Sequence, residues 1–131
     1  MYGAARGAPN IEFKGTVPQA ELINLMQRAR GFVFAAEEDF GIAMVEAQAC
    51  GTPVIAFGRG GSCDIVVPPE EANPTGLLFL RQDPAAVSAA LVEFDELGSA
   101  ITSEACHANA QRFSQSRFRS EITRFVERIA A

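Results

Sequence analysis

Apolar residues along the chain fall into two alternating kinds of run: short continuous blocks, and longer stretches in which they recur every three or four positions. The short blocks are Ile11 to Lys14, Phe32 to Ala35, Val54 to Phe57 and Gly76 to Leu80. They are brief and mostly bounded by Gly or Pro, which predicts buried strands rather than helices. Between the first two, Leu22, Leu25, Met26 and Ala29 mark one helical face, with Pro18 at the entry and Gly31 past the end. A second helix is predicted from Ile42 to Cys50, closed by Gly51 and Pro53. Asp83 followed by Pro84 has the form of an N-cap and first helical residue. Val87, Ala90, Leu91, Phe94 and Leu97 then line the inner face of a helix ending near Gly98. A shorter helix around Ser103 to Ala110 precedes a final one, whose Phe118, Ile122, Phe125, Val126 and Ile129 form an apolar stripe suited to docking. Strands alternating with helices predict an α/β domain with a mostly parallel sheet, because parallel neighbours need crossover connections and helices supply them. Residues 1–10 show no periodicity and are expected to be a flexible lead-in, leaving 11–131 as the ordered domain.

Composition narrows the function classes. A chain of 131 residues has room for one compact unit. Its 48% hydrophobic and 21% charged residues are ordinary for a globular protein and exclude disorder and disulfide scaffolds. Sixteen acidic residues against 11 basic give a net charge of -5. With no basic stripe, nucleic acid is not an expected partner. Cys50, Cys63 and Cys106 lack CxxC or metal-ligand spacing, which predicts free thiols, no metal site and a reducing, cytoplasmic setting. No apolar run approaches the roughly 18–20 residues of a spanning helix, and Met1 to Asn10 lack a signal-type apolar core. The chain is therefore expected to be neither inserted nor exported.

In an open parallel sheet, ligands bind beyond the carboxyl ends of the strands. The loop after Phe32–Ala35 reads Ala36-Glu37-Glu38-Asp39-Phe40-Gly41 and opens the helix at Ile42; the loop after Val54–Phe57 reads Gly58-Arg59-Gly60-Gly61-Ser62. Glycine there lets backbone approach a ligand and expose N–H groups. The helix start after Gly41 favours an anion, yet three acids precede it. The two features are compatible if the ligand is mixed, with a diphosphate facing backbone amides and hydroxyls facing carboxylates, which accept hydrogen bonds from diols. The implied ligand is a sugar nucleotide. Glu46, eight residues beyond Glu38 and placed in the first turn or so of the helix, is positioned to share that crevice. Either Glu taken alone equally fits a role complementing the helix dipole. Glu37 and Asp39 are expected to be solvated loop acids or caps, and His107 a surface or packing residue.

The run Glu38-Asp39-Phe40-Gly41-Ile42-Ala43-Met44-Val45-Glu46-Ala47, then Ala49-Cys50-Gly51-Thr52-Pro53-Val54-Ile55 and Gly60-Gly61, resembles the signature of retaining family 4 glycosyltransferases with the GT-B fold. The likeness continues through Gly76-Leu77-Leu78-Phe79 and the Asp83 to Leu97 helix. It implies a partial Rossmann-like sheet of about four strands flanked by helices, belonging to a truncated C-terminal, donor-binding lobe. By position, Glu38 is the implied catalytic contact to hydroxyls of the transferred sugar. Phe40, Gly41 and Ile42 offer backbone amides, Glu46 holds the ribose, and Gly60 and Gly61 complete the donor site. The wording is nearest to bacterial O-antigen mannosyltransferases, which implies GDP-mannose as donor substrate, no further cofactor and no metal. An acceptor glycan or lipid-linked saccharide is then bound through an N-terminal lobe.

Ala43 stands where the family commonly has Pro, and Asp64 near where a Glu follows the Gly-Gly turn. The family's diphosphate-neutralising Arg and Lys lie upstream of anything in this chain, with Arg59 a partial substitute, so the isolated chain is expected to be inactive. A nucleotide-sugar epimerase of the same fold and a non-catalytic regulatory α/β module are the alternative functions. The arginines at 112, 117, 119, 124 and 128 are expected to form the solvated face of the last helices. Their alternative use is steadying a lipid acceptor at the inner face of the membrane. In the implied strand order 3-2-1-4-5-6, the four runs correspond to the last four strands, which leaves Ile11 to Lys14 without neighbours. That segment is expected either to pair with Phe32 to Ala35 or to recruit a second copy across the sheet edge.

Overall fold

In the computed structural model, which describes residues 7–131, the fold is organised around a strand that is buried at every position. This strand, β2 (Val54–Phe57), lies between β1 (Phe32–Phe34) and β3 (Gly76–Phe79) in a parallel sheet of order β1-β2-β3. Phe32 pairs with Val54, and Val54 in turn with Gly76. Alternation along β2 divides the core between two faces. Val54 and Ala56 join Met26, Met44, Ala47, Ile65 and Val66 on one side. Ile55 and Phe57 join Leu77, Phe79 and Ala90 on the other. A strand coated on both faces reads as an uninterrupted apolar run, and that is why Val-Ile-Ala-Phe was recognisable.

Helices cover both faces. α1 (Gln19–Arg28) and α2 (Ile42–Ala49) supply Met26, Met44 and Ala47 to the first cluster. α4 (Pro84–Leu97) covers the second with Ala90, Val87 and Phe94. The Asp83 carboxylate accepts from the Ala86 amide at 2.7 Å, so the expected cap is present. A four-residue helix, α3 (Ser62–Ile65), follows the glycine loop and was not legible in the sequence. α5 (Ser103–Ala110) packs on α2. A single 3-10 turn, Gln111–Phe113, then leads into α6 (Gln115–Ala130).

Two expectations fail. Residues 11–14 form no strand: Ile11 and Phe13 are about half exposed, and Lys14 pairs with Glu12 at 2.6 Å. The expected pairing with Phe32 to Ala35 is therefore absent, and β1 is a sheet edge. An Ile-Glu-Phe-Lys alternation specifies a strand only where a neighbouring edge receives its backbone, and the chain turns at Gly15 into α1 instead. The stripe on α6 is also undocked, since Phe118, Ile122, Phe125, Val126 and Ile129 all stay exposed. Its periodicity recorded amphipathicity correctly; the described residues contain no surface that covers it. The lead-in expected over residues 1–10 falls mostly outside the described part. No helix is long and apolar enough to cross a membrane, among the described residues.

The α2–α5 contact is polar at its centre. Asn109 Nδ2 donates to Gln48 Oε1 and to the Ile65 carbonyl, each at 2.6 Å. Gln48 Nε2 donates to Thr75 Oγ1 at 3.2 Å, and Thr75 Oγ1 accepts from the Val67 amide at 3.0 Å. Gln48, Thr75 and Asn109 are all buried. Removing one partner leaves others unsatisfied in a site closed to water, at a cost of roughly 1–3 kcal/mol. Asn109→Ala is expected to lower unfolding free energy by about that amount in urea titrations.

The three thiols are free. Burial pushes the Cys106 thiol up to about 11, and burial, helped by Glu46, also raises Cys50. Since the thiolate is the reactive form, iodoacetamide at mildly alkaline pH is expected to modify exposed Cys63 first and Cys106 last, as read by peptide mass spectrometry.

Candidate functional site

The two loops singled out in the sequence leave the carboxyl ends of β1 and β2 side by side. Their backbones meet: residues 38 and 60 form an isolated parallel bridge, and the Gly61 amide donates to the Glu38 carbonyl at 2.7 Å. Arg59 Nε also reaches Glu37 Oε1 at 3.4 Å, a second link between the loops. A Cβ on Gly60 would collide with the Glu38 carbonyl, and one on Gly61 with the Phe40 carbonyl. The paired glycines therefore allow one backbone to lie directly against the other. This differs from the expectation that the turn exposes its N–H groups to a ligand, because the Gly61 amide is already engaged.

Gly41 starts α2 in the left-handed region, at φ 82° and ψ 59°. A side chain there would be strained by that φ and would strike the Met44 methyl. No side chain caps α2, in contrast to α4, α5 and α6, where Asp83, Thr102 and Ser114 do so. The Met44 amide donates to the Gly41 carbonyl at 3.0 Å. The Ile42 and Ala43 amides, which precede that bond, lack intrahelical acceptors by helix geometry. Amides free at the positive end of a helix dipole favour negative charge.

Glu38 lies in the loop three residues before Gly41 and Glu46 on α2 five residues after it, and both are exposed. Glu46 belongs to the second turn rather than the first, one turn beyond Ile42, which is 62% exposed. Met44, Ala47 and Gln48 turn inward, so helical spacing places Ile42 and Glu46 together on the outer side. Among the described residues, neither carboxylate engages in an ion pair. Glu37 is exposed, as expected of a loop acid, and also bridges to Arg59, which draws this guanidinium toward a carboxylate of its own chain. His107 is exposed and abuts the Gly51 turn, as expected of a packing residue.

The comparisons with known proteins bear on this arrangement directly. The family model described as "Glycosyl transferases group 1" matches residues 3–113. The chain belongs to the group 1 glycosyl transferases. A human relative named GDP-Man:Man(3)GlcNAc(2)-PP-Dol alpha-1,2-mannosyltransferase is 33% identical over 122 residues, covering 91% of this chain and 25% of that protein. A Corynebacterium glutamicum relative, named GDP-mannose-dependent monoacylated alpha-(1-6)-phosphatidylinositol monomannoside mannosyltransferase, is 35% identical over 92 residues. The match covers 64% of this chain and 23% of that one. Among solved structures, the sucrose-phosphate synthase of Thermosynechococcus elongatus superimposes with a TM-score of 0.72 at 27% identity, covering 90% of this chain and 30% of its own. This glycosyl transferase chain thus spans about a quarter of the length of each of these two relatives. The three parallel strands and their helices form part of a Rossmann-like glycosyltransferase lobe.

What the sequence did not reveal is how the glycosyl transferase loop is held from behind. Gln48 and Asn109 are polar residues within helices, a type that is ordinarily solvated. Their signal was periodic: Gln48 follows Met44 by one turn and so falls on the buried face. The arginine at 112 was expected in the solvated set. It does reach solvent, but it also donates through Nη1 to Asn109 Oδ1 at 2.7 Å and through Nη2 to the Asp64 carbonyl at 3.2 Å.

The loop contact can be tested by adding one methyl group. Gly61→Ala is expected to displace the Phe40 backbone while leaving β2 intact. The amide resonances of residues 38–42 should shift, and stability should fall by about 1–3 kcal/mol, the usual penalty of overpacking.

Proposed function

We propose that this chain carries the nucleotide-sugar donor site of a retaining hexosyltransferase, with GDP-mannose as the donor. The observation that carries the proposal is the uncapped start of α2 at a left-handed Gly41, with an exposed carboxylate in the loop before it and another on the helix after it, neither ion-paired among the described residues. A ligand that satisfies this site needs an anionic group for the amides and hydroxyls for the acids. A nucleoside diphosphate sugar has both.

In this reading, the backbone amides of Phe40, Gly41 and Ile42 face the sugar and diphosphate, and the α2 dipole stabilises the charge that builds on the diphosphate as the sugar departs. Glu38 accepts hydrogen bonds from hydroxyls of the transferred sugar and fixes its orientation, while Glu46 does the same for the ribose. Gly60 and Gly61 contribute by letting the second loop support the first. The bond broken joins the sugar to the diphosphate. The bond formed joins it to an acceptor hydroxyl on a glycan or lipid-linked saccharide, and the acceptor proton is released. The names of the human and C. glutamicum relatives both specify a GDP-linked mannose donor, which supports that choice. The acceptor is held outside the described residues, so the isolated chain binds donor without transferring sugar. The setting is the cytoplasm or the inner face of a membrane. The β1 edge is the surface on which a second copy would pair.

Isothermal titration of the chain with GDP-mannose, UDP-glucose and the bare nucleotides tests the proposal. Binding of guanine nucleotide in preference to uracil nucleotide is expected, with Glu46→Ala weakening it about tenfold or more, the worth of a hydrogen bond to a charged group. Absence of nucleotide binding, or binding indifferent to Glu46→Ala, contradicts it.

A further inference from the structure

The loop that opens the donor site is anchored to the sheet side by the glycine turn, but its other flank leans on a part of the chain some seventy residues downstream. Phe40 lies two residues after Glu38 and immediately before Gly41, and it is 48% exposed. The contact it makes is edge-to-face with Phe113, with centroids 5.8 Å apart and planes at 68°. Phe113 ends the 3-10 turn between α5 and α6. The Arg112 guanidinium sits 5.0 Å from the Phe113 ring centroid, within cation–π range. That guanidinium is fixed in turn by Asn109 Oδ1 and the Asp64 carbonyl, and Asn109 donates to Gln48 in α2 itself. One short segment, residues 109–113, therefore grips α2 from both directions: through Gln48 near its end and through Phe40 just before its start.

Phe40 is about half exposed and lines the rim of a cleft. This cleft, of about 490 Å³, is also lined by Ser114, Arg117, Phe118 and Glu121 among others, and a ring at its rim has solvent on its free side. Phe113 is thus the aromatic partner that selects one position for the Phe40 ring. Because Phe40 adjoins Gly41, the position of that ring constrains the left-handed turn and the direction of the Ile42 amide.

We propose that Phe113 is a positioning residue for the donor site, acting through Phe40, and that Arg112 holds its ring for that task. This rests on the donor-site reading above and assigns the α5–α6 turn a part in it. Its effect is on pre-organisation: with the ring partner in place, the amides at the head of α2 already point at the diphosphate before it arrives.

The test compares Phe113→Leu, Phe113→Tyr and Arg112→Ala in the full chain, with Phe125→Leu on α6 as control and thermal melts to confirm folding. Two readouts are used: GDP affinity by titration, and amide chemical shifts and exchange rates of Gly41, Ile42 and Ala43 in the ligand-free protein. Phe113→Leu is expected to weaken GDP between about twofold and tenfold, the span of an aromatic pair's worth, and to speed exchange at those amides. Phe113→Tyr, which keeps the ring, should restore both, and the control should change neither. Unaltered affinity and unaltered Gly41–Ala43 amides in a folded Phe113→Leu protein overturn the proposal. If that variant does not fold, Arg112→Ala is judged by the same two criteria. If the wild type binds no nucleotide, the donor-site reading falls, and the amides of the free protein alone decide whether Phe113 positions the loop.

Discussion

The buried amide pair of Gln48 and Asn109 is the constraint on which the rest of the molecule turns. Two neutral side chains are withdrawn from water and satisfy each other, the Ile65 carbonyl and the Thr75 hydroxyl. An apolar contact between α2 and α5 would tolerate sliding and rotation. Directional bonds at 2.6 Å tolerate far less, since a hydrogen bond weakens steeply once its angle is lost. The helix α2, with its uncapped start, is thereby fixed in rotation as well as in place, and Ile42 and Glu46 stay outward because Met44, Ala47 and Gln48 stay inward.

The same logic explains the sequence of loops around the site. A parallel sheet delivers successive strand ends to one edge, so β1 and β2 necessarily bring their following loops together. What is particular here is the closeness of the approach. The backbone of one loop fills the space where the other lacks side chains, and an ion pair between Glu37 and Arg59 spans the junction. Glu37 is thereby paired across the junction, while among the described residues Glu38 and Glu46 have no ion-pair partner.

Much of this was legible from residue order, for identifiable reasons. Val54–Phe57 announced itself because a strand covered on both faces must be apolar throughout, and Asp83-Pro84 announced α4 because capping chemistry is local. Glu46 lies on the exposed side of α2, just past its first turn. The failures share a cause. Ile11 to Lys14 has the alternation of a strand, but strand formation depends on an available neighbour, a property of the assembled sheet that periodicity does not encode. The stripe from Phe118 to Ile129 likewise revealed a face without revealing what covers it. The contact between Phe113 and Phe40 was not legible either, because nothing in the local sequence of one records that the other comes within reach.

The interlocked backbones of the two loops have a consequence for how such a site can change over time. Since the carbonyls of Glu38 and Phe40 occupy the volume beside Gly60 and Gly61, neither loop has an independent shape to inherit. A chimera that imports one from a relative with a different ligand preference brings half of a mould. The smallest exchangeable unit is the pair together, two stretches separated in sequence by an entire helix and strand.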